Sequence, residues 1–273
     1  MSTTLADIHR LALIGCGKMG GALLDGWLRL GLPAKAVAVI DPYLPEGAGA
    51  DLSNRGVSVN MAMQPAEILV IAVKPQALDA VLPSLRPLLS PSTLVISVVA
   101  GKTIAQFAAG LGSAVAIIRT IPNTPAAVGR AITVGVANDR VTAQQRALAG
   151  MLLGAVGQFE WVDDEALMNA VTAVSGSGPA YVFHLVEALA AAGVAQGLPA
   201  ELATKLARVT VEGAGELLHQ STLDPSILRQ NVTSPGGTTA AALYYLMDSD
   251  SGFPPLLAKA IAAATARGRD LAG

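Results

Sequence analysis

Short, continuously apolar runs alternate with stretches of helical periodicity over the first 163 residues of the chain. Such runs, bounded by glycine, proline or lysine, are typical of strands buried on both faces of a parallel sheet. The predicted strands span residues 11–14, 37–41, 68–73, 94–98, 114–119, 132–136 and 159–162, with a helix over 142–153 before the last strand. Because strands alternate with helices, the pattern predicts a mostly parallel, doubly wound sheet.

The pattern changes at Asp163 and Asp164, a pair that suits the N-cap of a helix. Beyond it we find no convincing strand pattern, and the predicted helices span residues 164–173, 179–197, 199–220, 225–230, 238–248 and 254–270. The predicted fold class is therefore α/β, with an N-terminal Rossmann domain over residues 1–163 and an all-helical C-terminal domain over 164–273. Several of the later helices carry small apolar residues on more than one side, which indicates burial against a second subunit.

A glycine-rich turn joins the first predicted strand to the first predicted helix. Gly15, Gly17 and Gly20 match the G-x-G-x-x-G spacing directly after the apolar run 11–14. The first glycine permits a sharp turn, the second leaves room for a pyrophosphate, and the third lets helix and strand pack closely. The free N–H groups of the following helix then face the phosphates. The turn predicts a dinucleotide site, with an ordinary strand–turn–helix and chance glycines as the alternative.

A second predicted strand that ends in an acid supports the dinucleotide interpretation. Asp41 lies 21 residues after Gly20, close to the spacing of about 20 for a carboxylate that binds the ribose hydroxyls. The following loop, residues 42–49, contains no Arg, Lys or Ser that could neutralise a 2′-phosphate. Since a carboxylate repels that phosphate, we expect NADH to be used at least as well as NADPH.

Composition and charge argue against several other classes of protein. The 273-residue chain is 52% hydrophobic with a mean hydropathy of +0.52. Its formal charge of −2 gives no excess of basic residues that would attract nucleic acid or an anionic membrane. The best membrane candidate, residues 179–198, is interrupted by His184, Glu187 and Gln196, so no span is expected. The single cysteine, Cys16, excludes an internal disulfide. An N-terminus without an apolar signal-peptide core predicts a cytoplasmic protein.

Two glycine–proline breaks in the helical half predict receptors for an anion. Residues 175–181 and 233–239 each place small hydroxyls and glycines before a helix, where free N–H groups suit a carboxylate. Plain capping of a buried helix explains each break as well, so the sequence leaves both interpretations open.

The residues outside these motifs favour reduction of a C=N bond. The three histidines, His9, His184 and His219, lie outside every motif, and no Cys/His spacing suits a metal. A dehydrogenase that acts on an alcohol must move a hydroxyl proton, usually through His, Lys or Tyr. A protonated imine already carries its proton and is itself the electrophile. A dinucleotide fold with a hydroxyl- and glycine-lined second site and no evident base therefore predicts imine reduction.

Four segments together resemble the pyrroline-5-carboxylate reductase family, in the correct order and over nearly the whole chain. They are residues 72–76 (AVKPQ), 121–125 (IPNTP), 171–182 (VTAVSGSGPAYV) and 231–239 (NVTSPGGTT). The resemblance implies reduction of L-1-pyrroline-5-carboxylate to L-proline with NADH or NADPH, the last step of proline biosynthesis. It also implies a homodimer interlaced through the helical domain, often assembled further into a decamer.

The resemblance also implies roles for the residues at matching positions. The cofactor pyrophosphate would lie on the glycine loop, which consists of Gly15, Cys16, Gly17, Lys18, Met19 and Gly20. Further cofactor contacts would come from Asp41, Ala72, Val73, Lys74, Pro75, Ala100, Gly101 and Asn123. The substrate carboxylate and ring nitrogen would be held by Ser234, Gly236, Gly237, Thr238 and Thr239, with Thr239 nearest the chemistry. The opposing wall would consist of Thr172, Ser175, Ser177, Gly178 and Pro179.

Two departures from the family pattern concern this site. The segment between Gly56 and Ile68 is shorter than usual, which leaves Asn60 without an assigned adenosine contact. Thr222 stands where some members carry an acid near the substrate nitrogen, so one candidate proton source is missing.

Two other functions compete with imine reduction. A β-hydroxyacid dehydrogenase shares the Rossmann-plus-helical plan but carries G-x-x-x-K-x-x-x-N on its first interdomain helix. In this sequence the residue four positions after the lysine is not asparagine: Val209 follows Lys205 at that spacing, and Ala263 follows Lys259. A non-catalytic NAD(H)-binding redox sensor would need the dinucleotide fold without a substrate pocket, and the two glycine–proline breaks argue against it. Oxidation of NADH with pyrroline-5-carboxylate separates the enzyme from the sensor.

Overall fold

Eight strands form one sheet in a computed structural model that describes residues 4–61 and 64–272. They are β1 Leu11–Ile14, β2 Val37–Ile40, β3 Ser58–Val59, β4 Ile68–Ile71, β5 Leu94–Ser97, β6 Ala116–Ile121, β7 Ala131–Ala137 and β8 Gly157–Trp161. Their order is β3-β2-β1-β4-β5-β6-β7-β8, and the neighbouring pairs are parallel except β6 with β7. The strand order reverses between β1 and β4, and open α/β sheets bind ligands at the carboxyl ends of strands beside such a switch point.

Apolar side chains cover both faces of this sheet. Leu13 packs with Trp27 in the core on one face, whereas the adjacent Ile14 packs with Phe107 on the other. Burial on both faces explains why the strands are continuous apolar runs rather than alternating patterns. Trp27 is fully buried, and its Nε1 donates to the Leu152 carbonyl at 2.8 Å, which ties the first helix to a helix late in the domain.

Eleven α-helices occur among the described residues. They are α1 Lys18–Arg29, α2 Ala48–Asn54, α3 Leu78–Leu85, α4 Ile104–Leu111, α5 Ala143–Gly154, α6 Met168–Val171, α7 Gly178–Ala195, α8 Ala200–Gln220, α9 Pro225–Asn231, α10 Thr238–Leu246 and α11 Phe253–Ala272. Local capping begins several of them. The Thr142 hydroxyl accepts from the Gln145 N–H, and the Gln145 side-chain oxygen accepts from the Thr142 N–H. The Asp164 carboxylate accepts from the Ala166 N–H. The predicted cap at Asp164 therefore begins the helical half.

Most predicted strands are observed with ends shifted by one or two residues, and three features of the sheet are specified more closely by the structure. The two-residue strand β3 was not predicted, because so short a strand has no apolar pattern of its own. β6 begins and ends two residues later than predicted, over Ala116–Ile121. β7 runs antiparallel to β6, since the connection between them is too short for a crossover helix. The predicted short segment between Gly56 and Ile68 includes residues 62 and 63, which lie outside the described residues.

The helical half confirms the predicted fold class and corrects one detail. Helices α7 to α11 follow the predicted stretches to within a few residues. The first predicted helix, 164–173, extends further than predicted, however, because Thr172–Gly176 is a π-helical turn that continues α6. Pro179 then lies in the first turn of α7, where its missing N–H leaves no hydrogen bond unmade.

The chain divides into two compact units. The first extends from the N-terminal region to Gly176 and includes the last helix from Ala264, and the second is Ser177–Ala263. Among the described residues of the second unit, the buried apolar side chains are Ala203 and Ala207, while the larger apolar side chains stay partly or largely exposed. A helical unit with so small a core needs a partner to cover its apolar surface. The domain boundary after residue 163 stays a prediction.

One helical stretch, Glu165–Ala195, is long and apolar enough by hydropathy to cross a membrane. A single stretch of this kind is weak evidence for a span, because the core helix of a soluble protein passes the same test. His184 Nδ1 and Glu187 Oε2 lie 2.8 Å apart on its exposed surface. An ionisable pair in the middle of the stretch is costly in lipid and ordinary in water.

Candidate active site

The glycine loop lies between β1 and α1, and each glycine has its own spatial reason. Gly15 has a φ of +89°, and a Cβ there would lie 2.8 Å from the Ala72 carbonyl oxygen just after β4. A Cβ on Gly20 would overlap the Gly15 carbonyl oxygen, so this glycine permits close contact of helix and strand. A Cβ on Gly17, the N-cap of α1, would meet no described atom within 4 Å. The loop therefore leaves open space at Gly17 and tight backbone contacts at Gly15 and Gly20.

The Asp41 carboxylate lies against this loop and is itself held in place. Its Oδ2 accepts from the Cys16 N–H at 2.8 Å, and its Oδ1 accepts from the Tyr43 N–H at 2.9 Å. Asn60 Oδ1 accepts from the Asp41 N–H at 2.8 Å, and Asn60 Nδ2 donates to the Asp41 carbonyl at 3.0 Å. Asn60 adopts a left-handed φ of 51°, a conformation that asparagine tolerates better than most residues. Sequence reasoning missed this contact of Asn60 with Asp41.

Cys16 is suited to filling the loop rather than to reacting there. Burial of the thiol, with the nearby Asp41 and Asp25 carboxylates, raises its pKa above the ordinary value for cysteine. The thiol is therefore protonated at neutral pH and a poor nucleophile. A cavity of about 200 Å³ adjoins it between α1 and α2, where Arg55 pairs with Asp25 at 2.6 Å.

The other predicted cofactor residues lie at one edge of the sheet, because they follow the carboxyl ends of parallel strands. Gly101 has a φ of +73°, which turns the chain after β5. Asn123 is buried, and its Oδ1 accepts from the Ile132 N–H at 3.0 Å, so its side chain braces β7. The full set at this edge is Ala72, Val73, Lys74 and Pro75 after β4, Ala100 and Gly101 after β5, and Asn123 after β6.

The predicted substrate residues Thr172 and Ser175 lie on the π turn after α6. The Thr172 hydroxyl donates to the Met168 carbonyl at 2.7 Å, and the Ser175 hydroxyl donates to the Val171 carbonyl at 2.9 Å. A hydroxyl that donates to the backbone keeps its lone pairs, so it can accept from an N–H but cannot donate to a carboxylate. The other residues of the predicted wall, Ser177, Gly178 and Pro179, lie at the start of α7.

The second glycine–proline motif forms the N-terminus of α10. Gly236 has a φ of +69°, and the Gly237 N–H donates to the Ser234 carbonyl at 3.0 Å, which makes a tight turn before the helix. Thr238 and Thr239 are the first two helical residues, so their N–H groups have no intrahelical acceptor. Thr239 is half-buried, whereas Ser234 and Thr238 are exposed. This motif belongs to the second compact unit, and Thr172 and Ser175 belong to the first.

Among the described residues, no buried histidine and no metal-binding cluster offers a second candidate for the active site. His9, His184 and His219 are all exposed. The described part of the chain contains no group of three or more His, Cys, Asp or Glu side chains that could hold a metal ion.

Sequence reasoning also missed the ion pair of Arg119 with Glu165, although an arginine inside an apolar strand pattern was a visible signal.

Comparison with known proteins covers both halves of the chain. A family model for pyrroline-5-carboxylate reductase dimerisation matches residues 165–271, and a model for coenzyme F420-dependent NADP oxidoreductase matches residues 10–101. The pyrroline-5-carboxylate reductase of Pseudomonas aeruginosa is 41% identical over 96% of this chain and 97% of its own. The solved structure of a pyrroline-5-carboxylate reductase from Coxiella burnetii is 33% identical with a TM-score of 0.89, covering 98% of this chain and 100% of its own. The Plasmodium falciparum reductase, solved with NADP bound, is 29% identical with a TM-score of 0.78, covering 97% and 98%.

Proposed function

This chain belongs to the pyrroline-5-carboxylate reductase family, and on that premise we propose which of its residues carry the reaction. The enzyme reduces L-1-pyrroline-5-carboxylate to L-proline in proline biosynthesis with a nicotinamide cofactor. The observation that carries this function is the near-full-length match to reductases of that name, which includes both the glycine loop and the helical half. It confirms the predicted activity over the hydroxyacid dehydrogenase and the redox sensor. Loss of NADH or NADPH absorbance with pyrroline-5-carboxylate tests the function directly, and an inactive protein would refute it.

We propose that the glycine loop and the strand ends hold the nicotinamide cofactor. The open space at Gly17 suits a pyrophosphate, and the first N–H groups of α1 can donate to it without breaking helical hydrogen bonds. When bound, the reduced nicotinamide supplies the hydride. The residues proposed for this role are Gly15, Cys16, Gly17, Lys18, Met19, Gly20, Asp41, Ala72, Val73, Lys74, Pro75, Ala100, Gly101 and Asn123.

We propose that the N-terminus of α10 binds the substrate carboxylate. The free N–H groups of Thr238 and Thr239 suit an anion, which is favoured at a helix N-terminus by about 0.3–1 kcal/mol or more. The Thr239 hydroxyl would orient the protonated ring nitrogen. Thr172 and Ser175 of the first unit are proposed as acceptors for the substrate, because their hydroxyl protons are committed to the backbone and only their lone pairs stay available. The other residues proposed to line the substrate site are Ser177, Gly178, Pro179, Ser234, Gly236 and Gly237.

We propose that NADH is used at least as well as NADPH. Each Asp41 carboxylate oxygen already accepts one backbone N–H and can accept a ribose hydroxyl with its second lone pair. In NADPH a 2′-phosphate replaces one of these hydroxyls, and its negative charge would be repelled by the Asp41 carboxylate. Arg55, the residue that follows α2, is already paired with Asp25. The repulsion is worth on the order of 1 kcal/mol, which corresponds to a roughly fivefold difference in affinity.

Asp41→Ser should therefore raise kcat/KM with NADPH relative to NADH by about fivefold, because it removes the like charge. The ratio is measured by steady-state kinetics with both cofactors. Asp51→Ser is the matched control, since it removes an acid of the same region that pairs with Arg55 instead of accepting from the backbone of the glycine loop. A strong wild-type preference for NADPH that persists in Asp41→Ser would contradict the proposal.

We propose that the oligomer is a homodimer formed through the helical half, which can assemble further into a decamer. Phe183, Val209 and Tyr244 are more than half exposed in the single chain, on three different helices. Exposed apolar side chains in such numbers mark an interface. The proposal rests on this surface together with the match to the dimerisation model.

At micromolar concentration the full chain should sediment at a mass of at least twice 27.6 kDa. Leu206→Glu, which places a charge on the apolar face of α8, should shift the protein toward the monomer by roughly tenfold or more in dissociation constant. Lys205→Glu changes the neighbouring exposed residue on the same helix and serves as the control. A wild-type protein that is monomeric by light scattering would contradict the proposed dimer.

A further inference from the structure

Arg119 is the most deeply buried charged residue in the described part of the chain. It lies on β6 with 2% of its surface exposed, and its Nη1 donates to Glu165 Oε1 at 2.8 Å. Its Nε and Nη2 are buried and have no hydrogen-bond partner among the described residues. A buried guanidinium that is only partly paired is a poor way to stabilise a core, since an apolar side chain of similar volume would do so at least as well. The position therefore calls for a role other than stability.

Glu165 connects three segments through one oxygen atom. Its Oε1 accepts from the Arg119 guanidinium and also from the Ile104 N–H at 2.9 Å. Ile104 is the first residue of α4 and follows the turn that contains Gly101. Glu165 itself begins the helical segment that leads to Thr172.

Each of these segments carries residues proposed for the reaction. β6 leads from Arg119 to Asn123, which lies just after the strand ends, and the turn before α4 contains Ala100 and Gly101; these three residues are proposed to lie beside the cofactor. The helical segment carries Thr172 and Ser175, proposed for the substrate. The segment also packs against the sheet, because Met168 lies in one buried apolar cluster with Ile121 at the end of β6. The segment is thus held on the sheet through Glu165 and through Met168, just before the two hydroxyl residues.

We propose that Glu165 is a positioning residue for the reaction, acting through its pairing with Arg119 and the Ile104 N–H. The carboxylate holds the cofactor-side turn, the end of β6 and the Thr172–Gly176 turn at set distances from one another. This inference rests on the proposed roles of Gly101, Asn123, Thr172 and Ser175. Because a displacement of about 1 Å between reacting groups can lower a rate a hundredfold, loss of this attachment acts on kcat.

The double variant Arg119→Met/Glu165→Met tests the proposal in the full-length enzyme. It replaces the ion pair by two apolar side chains of similar length, an exchange that often preserves or raises stability. We expect the melting temperature to be kept while kcat falls about tenfold or more, with the Kd for NADH, measured by its fluorescence, within about twofold. Arg10→Met/Glu67→Met is the matched control, because that ion pair lies at the amino ends of β1 and β4. It should leave kcat unchanged.

A double variant that keeps both its melting temperature and its full kcat would overturn the proposal. If the double variant melts lower, Glu165→Gln decides at a temperature where it is folded, since it keeps the shape and an acceptor for Ile104. A fall in kcat with unchanged NADH affinity supports positioning, and full kcat overturns it. Thr239→Val, measured in parallel, tests the proposed function separately: full activity there would remove the proposed role of the Thr239 hydroxyl, whereas the double variant alone tests positioning by Glu165.

Discussion

Gly17→Ala should abolish tight nucleotide binding without affecting folding, whereas Gly20→Ala should destabilise the protein. A Cβ at Gly17 meets no described atom within 4 Å in the free chain, but it would enter the space proposed for the pyrophosphate. Forcing an extra methyl group into a filled site costs about 1–3 kcal/mol, so the Kd for NADH should rise roughly fivefold to 150-fold. The melting temperature of the cofactor-free protein should stay within about 2 °C of wild type.

Gly20→Ala is the matched comparison, since it adds the same methyl group three residues later. Its Cβ would overlap the Gly15 carbonyl oxygen, and backbone cannot move aside as a flexible side chain can. The resulting shift of α1 from β1 should cost about 3 kcal/mol, or roughly 6–12 °C in melting temperature. Thermal unfolding and NADH titration of both variants check the pair. Equal melting temperatures, or unchanged NADH affinity in Gly17→Ala, would contradict this division between binding and packing.

Thr239→Val should lower kcat/KM for pyrroline-5-carboxylate about ten- to a hundredfold while sparing NADH affinity. The ring nitrogen must be protonated when the neighbouring carbon is reduced, and it needs a hydrogen-bond partner throughout. A hydroxyl is too weak an acid to supply the proton alone, so Thr239 would orient the nitrogen or relay a proton from water. Loss of one positioned hydrogen bond in a dry site costs roughly 1–3 kcal/mol, which gives the predicted range. Steady-state kinetics with substrate varied at saturating NADH measure the effect.

Thr239→Ser is the control for this substitution, because it keeps the hydroxyl and removes only a methyl group. It should keep most of the wild-type turnover. If Thr239 merely stabilises the first turn of α10, the valine and serine variants should differ in melting temperature but have equal turnover. Equal turnover would remove Thr239 from the mechanism.

Local sequence patterns were sufficient for the features that depend on neighbouring residues. The β1–α1 turn was predictable because three glycines within six positions match a known spacing. The structure gives a spatial reason for each: a positive φ at Gly15, open space at Gly17 and close backbone contact at Gly20. The helix starts at Asp164 and Pro179 were predictable for the same reason, since capping involves atoms a few residues apart. Continuous apolar runs indicated strands buried on both faces, although their ends shifted by one or two residues.

Features that join distant residues were not predictable from one sequence. β3 exists only because it pairs with β2, and β7 is antiparallel only because its connection to β6 is short. Asn60 contacts Asp41 across 19 positions, and its left-handed backbone has no signature in the sequence. Glu165 is 46 positions from Arg119. Only the structure shows that Glu165 Oε1 accepts from both Arg119 and the Ile104 N–H and so links three segments.

The sequence by itself determined the fold class, the dinucleotide turn and, through four short segments, the family and its reaction. These follow from backbone conformation, apolar periodicity and turn chemistry, which act over a few residues and leave a readable spacing. Only the tertiary structure decided which donors and acceptors are already occupied: both oxygens of Asp41, the side-chain oxygen of Asn123 and the hydroxyl protons of Thr172 and Ser175. A polar group's remaining capacity for a ligand depends on what folding brings within about 3 Å of it, and that distance is set by packing rather than by spacing along the chain.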